Sequence, residues 1–243
     1  MSFGISWKRA GGISKELTVA DWAGGFGDEY TERNMAVMDR RKFFSKFMHY
    51  EIRNAFEIGC NWGANLMALE TLDVHAMGCD INQSAVDTAT DLGLTAVLND
   101  GTGCWEFSNE FDFVFTVGVL IHQRTPDLIS MMKEMVRLSS EFVMFAEYLG
   151  DDEEVPYRGE RFALFKRDYG KVFEALFPNA QLMEQGTAGK ELGLDDITYW
   201  VYDISNCASA VRVEQTSRQS FNASEETEPI SSFVGQIGKV GVT

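Results

Sequence analysis

The stretch FEIGCNWGANL, Phe56 to Leu66, sets Gly59 and Gly63 around a short turn between an apolar run and a helical one. Such a turn at the carboxyl end of a strand presents free backbone amides and the positive end of a helix dipole, which suits a nucleotide, a phosphate or another polar ligand. Two acids follow at matching places. Asp80 closes the run VHAMGCD, where a carboxylate accepts hydrogen bonds from a ribose diol. Asp100, in LNDGT, closes the next run, where a polar group can meet an adenine edge. Glu57 lies inside the first run, just ahead of the turn.

The glycine spacing limits what the turn holds. A pyrophosphate-binding turn uses G-x-G-x-x-G so that the backbone can approach the phosphates. Here G-C-N-W-G lacks the second and third glycines, and Asn61 with the bulky Trp62 stands between the two that remain. A nicotinamide dinucleotide is therefore disfavoured. A P-loop is excluded, because no G-K-[ST] follows.

Other chemistry-bearing residues fall after the fourth and fifth apolar runs. His122, in GVLIHQ, is placed to act as general base on a hydroxyl or amine, because an imidazole titrates near neutral pH. The competing reading is a histidine that caps its loop or shapes the pocket. Tyr157, the second candidate catalytic residue, opens YRGERFALFKR, a basic cluster with Arg158, Arg161, Lys166 and Arg167 in a chain of formal charge −16. Arginine forks match phosphate or carboxylate, so Arg158 and Arg161 are candidate contacts for an anionic acceptor. The alternative is a set of salt bridges to the neighbouring Asp151, Asp152, Glu153 and Glu154, or to Asp168. Glu147, closing FAEYL, and Asp195 with Asp196 are candidate acceptor contacts or plain caps.

These residues need a scaffold that brings strand ends together, and the pattern predicts one. AFEIG, VHAMGCD, LTAVLN, FDFVFTVGVL and EFVMFAEYL read as strands, alternating with helices over GANLMALETL, SAVDTATDLG and PDLISMMKEMVRLS. Such alternation implies an α/β fold with a parallel sheet covered on both faces. DYGKVFEALFP gives one more helix, and AQLMEQG with ITYWVYDIS an antiparallel hairpin at the sheet edge. Ahead of the sheet, MAVMDRRKFFSKFMHY reads as an amphipathic helix, residues 1–20 as a loose arm, and DWAGGFGDEYTERN as a segment without periodicity. After Ser205 the chain turns polar and reads as a tail.

The 243 residues suit one globular domain. No apolar run is long enough to span a membrane, and the start lacks the apolar centre of a signal peptide, so a cytoplasmic location is expected. The charge disfavours nucleic acid. Cys60, Cys79, Cys104 and Cys207 form no CxxC pair and the three histidines share no ligand spacing, so no metal is expected.

The turn and its acids resemble the class I S-adenosylmethionine-dependent methyltransferases. The resemblance implies a Rossmann-like, seven-stranded, mostly parallel sheet with a reversed edge strand, and S-adenosylmethionine as cofactor. This ligand carries no pyrophosphate, so it asks for fewer glycines. WAGGFGDEYTERN, EIGCNWGANLMAL and the stretch from AEYLGDDEEVPYRGERF to LDDITYWVY further resemble methyltransferases associated with pseudaminic acid and related surface-sugar biosynthesis. In that subfamily Asn61 and Asn65 are expected in the turn. The implied cofactor residues are Glu57, Gly59, Cys60, Asn61, Gly63 and Asn65, then Asp80 with Ile81, and Asp100 with Gly101. Residues 1–50 are expected to act as a lid, with Arg33 meeting the methionine carboxylate and Tyr30 packing on the cofactor, unless Trp22, Phe26 and Tyr30 merely seal the sheet. Residues 51–204 would form the methyltransferase domain and 205–243 the tail. The implied acceptor is a small molecule, a sugar or an anionic sugar nucleotide. Two other readings stand beside it: a non-catalytic scaffold of the same fold and, further off, an NAD-dependent oxidoreductase.

Overall fold

The computed structural model describes residues 16–35, 39–103 and 110–207. Its centre is a seven-stranded sheet of β1 (Asn54–Ile58), β2 (His75–Asp80), β3 (Thr95–Leu98), β4 (Phe111–Val117), β5 (Ser139–Glu147), β8 (Gln181–Ala188) and β9 (Ile197–Asp203). The strand order is β3-β2-β1-β4-β5-β9-β8. β1 to β5 run parallel, while β9 is antiparallel to both β5 and β8. The last strand among the described residues is thus the reversed one, and β8 takes the edge beside it. A two-residue ribbon, β6 (Glu153–Glu154) with β7 (Phe165–Lys166), closes the loop between them.

The near-continuous apolar strands follow from cover on both faces. Phe113, Val114 and Phe115 of β4 and Val143, Met144 and Phe145 of β5 are fully buried. Helices α4 (Ala64–Glu70), α5 (Gln83–Asp91), α6 (Thr125–Leu138) and α7 (Tyr169–Leu176) supply that cover, preceded in the chain by α1 (Val19–Trp22), α2 (Gly25–Asn34) and α3 (Arg41–Ser45). In α6 a proline sits in the first turn, and Leu128, Met131, Met132 and Met135 make the inward stripe. The methionines are core packing.

The N-terminal segment departs from the sequence reading twice. GFGDEYTERN is a helix, α2, despite its glycines and lack of apolar periodicity. Tertiary contact holds it rather than propensity. Gly27 is needed there because a Cβ would collide with the Trp22 carbonyl and the Asn82 amide. The helix expected over residues 35–50 is only α3 and a 3-10 turn, Met48–Tyr50, with residues 36–38 outside the described ones. Phe43, Phe44 and Phe47 drive this shorter form by packing edge-on against Tyr199 and Phe115. The expected loose arm up to residue 15, Cys104 and the tail from residue 208 lie outside the described residues. Among the described residues no helix is long and apolar enough to cross a membrane.

Candidate functional site

Strand order reverses between β1 and β4, and a crevice opens where the connections leave to opposite faces. A cavity of about 800 Å³ lies there. Its floor is the turn after β1. Gly59 (φ 77°) and Gly63 (φ 87°) take the left-handed conformation. Side chains there would also strike Val119 and Leu94 respectively. Asn61 is left-handed too, at φ 49°. Asparagine tolerates that region because its side chain bonds locally, and here Trp62 N donates to Asn61 Oδ1 at 2.7 Å. The two residues that break the dinucleotide pattern therefore have their own work. Asn61 shapes the turn, and the Trp62 indole N–H donates to the Asn34 carbonyl of α2 at 2.9 Å.

Asp80 faces this turn from the end of β2. The backbone N–H of Asn61 donates to one carboxylate oxygen at 2.8 Å and that of Asn82 to the other at 2.9 Å. Burial pushes the Asp80 carboxyl up, and these amide bonds pull against it. The Ile81 backbone bears on the same carboxylate. Beyond β3, Asn99, Asp100 and Thr102 line the cavity. Asp100 accepts from the Thr102 amide and hydroxyl, at 2.9 and 2.7 Å. Gly101 is not on the wall. It packs against Ile58, which explains its missing side chain.

Glu57 is 1% exposed and also lines the cavity. Asn65 Nδ2 donates to its Oε1, and Arg40 Nη1 donates to Asn65 Oδ1 at 2.7 Å. Glu57 Oε2 and Arg40 Nε are buried without partners. Burial pushes the Glu57 carboxyl up to about 8, opposed by the Asn65 bond and the Arg40 charge.

At the β4 end the wall is aromatic. Trp22 and Tyr30 come from α1 and α2, and His122 from the 3-10 turn Leu120–His122. The ring centroid of His122 lies 4.4 Å from Trp22, 6.3 Å from Tyr30 and 5.7 Å from Tyr157. Its Nδ1 sits 2.5 Å from the Ala163 carbonyl and can only donate there, so Nε2 is the bare acceptor. Burial brings the His122 pKa down to about 4, so the ring is neutral at pH 7. Burial also raises the Tyr30 phenol, which stays protonated.

Several expected contacts lie elsewhere. Arg33 pairs with Glu29 at 3.4 Å and is absent from the cavity wall; the arginines on that wall are Arg40 and Arg124, the second of them paired with Glu16. Glu147 faces away from the cavity and serves as a backbone clamp. Its oxygens accept from Thr116 Oγ1 and the amides of Val119, Leu120 and Ile121, at 3.0 to 3.2 Å. Burial still pushes its carboxyl up to about 7. Arg161 pairs with Glu154 at 3.8 Å and Arg167 with Asp152 at 2.7 Å, the salt bridges that their acidic neighbours invite. Tyr157 packs beside His122, and neither it nor Arg158 is on the wall. Reciprocal Tyr157 and Glu160 backbone bonds close a two-residue turn, with Arg158 (φ 54°) and Gly159 (φ 85°) at its tip. Asp195 accepts from the Tyr148 hydroxyl at 3.3 Å, and Asp196, like Asp195, is not on the wall.

Residues 55–141 match the model of a methyltransferase domain. Among solved structures, 1,6-didemethyltoxoflavin-N1-methyltransferase of Burkholderia thailandensis, with bound 1,6-didemethyltoxoflavin and S-adenosylhomocysteine, aligns at a TM-score of 0.58 and 12% identity, over 76% of this chain and 86% of that one. Magnesium protoporphyrin IX methyltransferase of Synechocystis, with bound S-adenosylmethionine, aligns at 0.56 and 12% identity, over 76% of this chain and 93% of that one. The fold is that of a class I methyltransferase. An S-adenosylmethionine-dependent methyltransferase of Clostridium acetobutylicum aligns at 0.53 and 10% identity, over 73% of this chain and 97% of that one. No curated protein matches the sequence.

On this methyltransferase fold, sequence reasoning missed Asn82, Asn99 and Arg40, all on the cavity wall. Asn82 had a usable signal, since asparagine ahead of QSAVD is a good helix N-cap, and its Oδ1 does accept from Ala85 N at 2.9 Å. Arg40 had none, because only the folded chain brings it to Asn65. Among the described residues no group of three or more His, Cys, Asp or Glu is placed to hold a metal.

Proposed function

We propose that this protein transfers the methyl group of S-adenosylmethionine to a small polar acceptor. The observation that carries the reading is Asp80, fixed by the amides of Asn61 and Asn82 on the wall of the cavity, where its carboxylate can accept from a ribose diol. The rest of the cavity fits the same ligand. It has the volume for a nucleoside with an amino-acid tail, and the Asp100 side faces the position of the base.

When bound, S-adenosylmethionine supplies a methyl group activated by its positively charged sulfur. The protein contributes alignment and a dry wall, which are large terms for a transfer of this kind. Trp22, Tyr30 and Val119 exclude water near the β4 end. His122 offers the uncharged Nε2 as acceptor for an acceptor hydroxyl or amine, and its Nδ1 bond to Ala163 fixes the ring.

For the acceptor we favour a sugar or nucleotide-activated sugar of surface-polysaccharide biosynthesis, handled in the cytoplasm. This rests on the resemblance of residues 20–204 to the surface-sugar subfamily. Support at the rim is narrower than the sequence suggested, because Arg161 and Arg167 are paired. Arg158 remains, over the Tyr157 ring at 5.5 Å and with no ion-pair partner among the described residues. It suits a phosphate lying outside the cavity.

Calorimetric titration with S-adenosylmethionine, S-adenosylhomocysteine and NAD tests the donor. Micromolar binding of the first two, lost in Asp80→Ala, is expected. A folded protein that binds neither, or that prefers NAD, overturns the reading. Transfer of labelled methyl into a panel of sugar nucleotides tests the acceptor.

A further inference from the structure

We propose that Arg124 binds an oxyanion of the acceptor, a carboxylate or a phosphate, and that Glu16 of the same chain holds its place until the acceptor arrives. The inference rests on the methyl-transfer reading and narrows its acceptor to an anionic one.

Arg124, Glu16 and Phe162 all line the cavity. Arg124 lies two residues beyond His122, at the β4 end, beside the group proposed to face the acceptor. Its Nη2 donates to the Glu16 carboxylate, and its guanidinium lies 5.2 Å from the centroid of the Phe162 ring. Backbone contacts bring Glu16 there. It forms a parallel bridge with Arg161, and the Leu17 amide donates to the Arg161 carbonyl at 3.2 Å. Phe162 takes the left-handed conformation, at φ 53°. A bulky residue holds that conformation only where its surroundings fix it, and here its amide donates to Glu154 Oε1 at 2.8 Å.

The loop that presents Arg124 is fixed, while its ion pair is weak. Glu147 accepts from the amides of Val119, Leu120 and Ile121, and Arg167 donates to the Gln123 carbonyl at 2.8 Å. Two buried charges thus set the backbone leading to Arg124. The pair with Glu16, by contrast, is 45% exposed on the arginine and 50% on the glutamate. So exposed a pair is worth little, because water screens it, and an incoming oxyanion displaces Glu16 at small cost. Arginine's planar fork suits carboxylate and phosphate alike, so a position already taken by the chain's own carboxylate is an oxyanion position. A neutral acceptor would leave the Glu16 pair intact and gain nothing from Arg124. In a chain of formal charge −16, a cation on this wall also offsets a field that would repel an anion.

The test uses three probes built on one sugar ring: glucuronate, glucose 6-phosphate and uncharged glucose. Their binding to the full chain is measured by calorimetry at fixed ionic strength, with and without saturating S-adenosylhomocysteine. The proteins are wild type, Glu16→Gln, Arg124→Gln, Arg124→Lys and the double variant Glu16→Gln with Arg124→Gln, with melting curves to show folding. At least one charged probe should bind Glu16→Gln about 2- to 5-fold more tightly than wild type. Arg124→Gln should weaken that probe by about 10-fold, and Arg124→Lys should recover part of the loss. The double variant should show no gain over Arg124→Gln, and glucose should not distinguish any of the proteins. The charged probe that responds identifies the oxyanion as carboxylate or phosphate. The proposal is overturned if no charged probe binds, if Glu16→Gln brings no gain, or if the gain survives Arg124→Gln. Absence of S-adenosylhomocysteine binding overturns the donor reading instead, and the arm without that ligand still decides Arg124.

Discussion

The side-chain amide of Asn82 donates to the Asp28 carboxylate at 2.9 Å, joining the residue beyond the Asp80 strand end to the helix α2. The same amide reaches the carbonyls of Trp22 and Gly24, each at 3.3 Å, while Asn82 Oδ1 caps α5. Its backbone N–H holds Asp80 at 2.9 Å. One residue thus couples the proposed ribose-binding acid to the N-terminal segment that walls the cavity.

Asn82→Ala should therefore do two things at once. Loss of a cap and of buried hydrogen bonds should cost about 2–3 kcal/mol of stability. Release of S-adenosylhomocysteine, followed by stopped-flow tryptophan fluorescence, should also quicken, because α1 and α2 lose their tie. Reduced stability with an unchanged release rate would make Asn82 a helix cap alone.

Glu147 offers a test that separates a clamp from a substrate contact. Four donors converge on it, and the Ile121 amide alone takes Oε2, at 3.2 Å. Glu147→Gln must turn an N–H toward one of these donors, so it should cost about 1–3 kcal/mol in urea unfolding. Calorimetric affinity for S-adenosylhomocysteine should change little. A variant with full stability and a loss confined to acceptor KM would restore Glu147 to the substrate site.

How much of this was legible in the sequence differs by scale. The β1 to β5 alternation was plain because buried parallel strands are apolar throughout, and Asp80 was plain because a charge at the end of such a run stands out. Helix α2 was not, since its stability comes from Asn82 and Trp62, which are distant in sequence. The arginines show the same limit. Arg158, Arg161 and Arg167 announce themselves as a cluster, yet the acids beside them occupy Arg161 and Arg167. Arg40 sits in the basic run of residues 40–42 behind Asp39, which Arg41 occupies, and only the packing of Phe43, Phe44 and Phe47 sets its segment beside Asn65.

His122 sets the acid side of stability. Its folded pKa, about 4, lies below the 6.5 of a free imidazole, so the unfolded chain takes up the proton first as pH falls. By linkage its contribution is fully present above about pH 6.5 and is lost progressively toward pH 4. His122→Phe should flatten that slope in urea midpoints measured from pH 4 to 7. The same pKa predicts that no step in methyl-transfer rate between pH 5.5 and 8 follows His122 ionisation; such a step, absent in His122→Gln, would mean that the ring titrates near neutrality.

Glu57 acts in the opposite direction. Its folded pKa, about 8, lies above the 4.5 of a free glutamate side chain, so the folded state holds a proton that the unfolded chain has released. Stability without ligand should therefore fall as pH rises between these values, and Glu57→Gln should remove that slope and leave the variant more stable than wild type at pH 8. Ligand binding should reverse the protonation, because an ammonium beside Glu57 favours the carboxylate. At pH 7, titrating S-adenosylhomocysteine into wild type in buffers of different ionisation enthalpy should show net proton release into the buffer. Glu57→Gln should bind more weakly and release fewer protons. Equal release from both proteins would place the proton on another group and leave Glu57 as a buried acid with no part in holding the ligand.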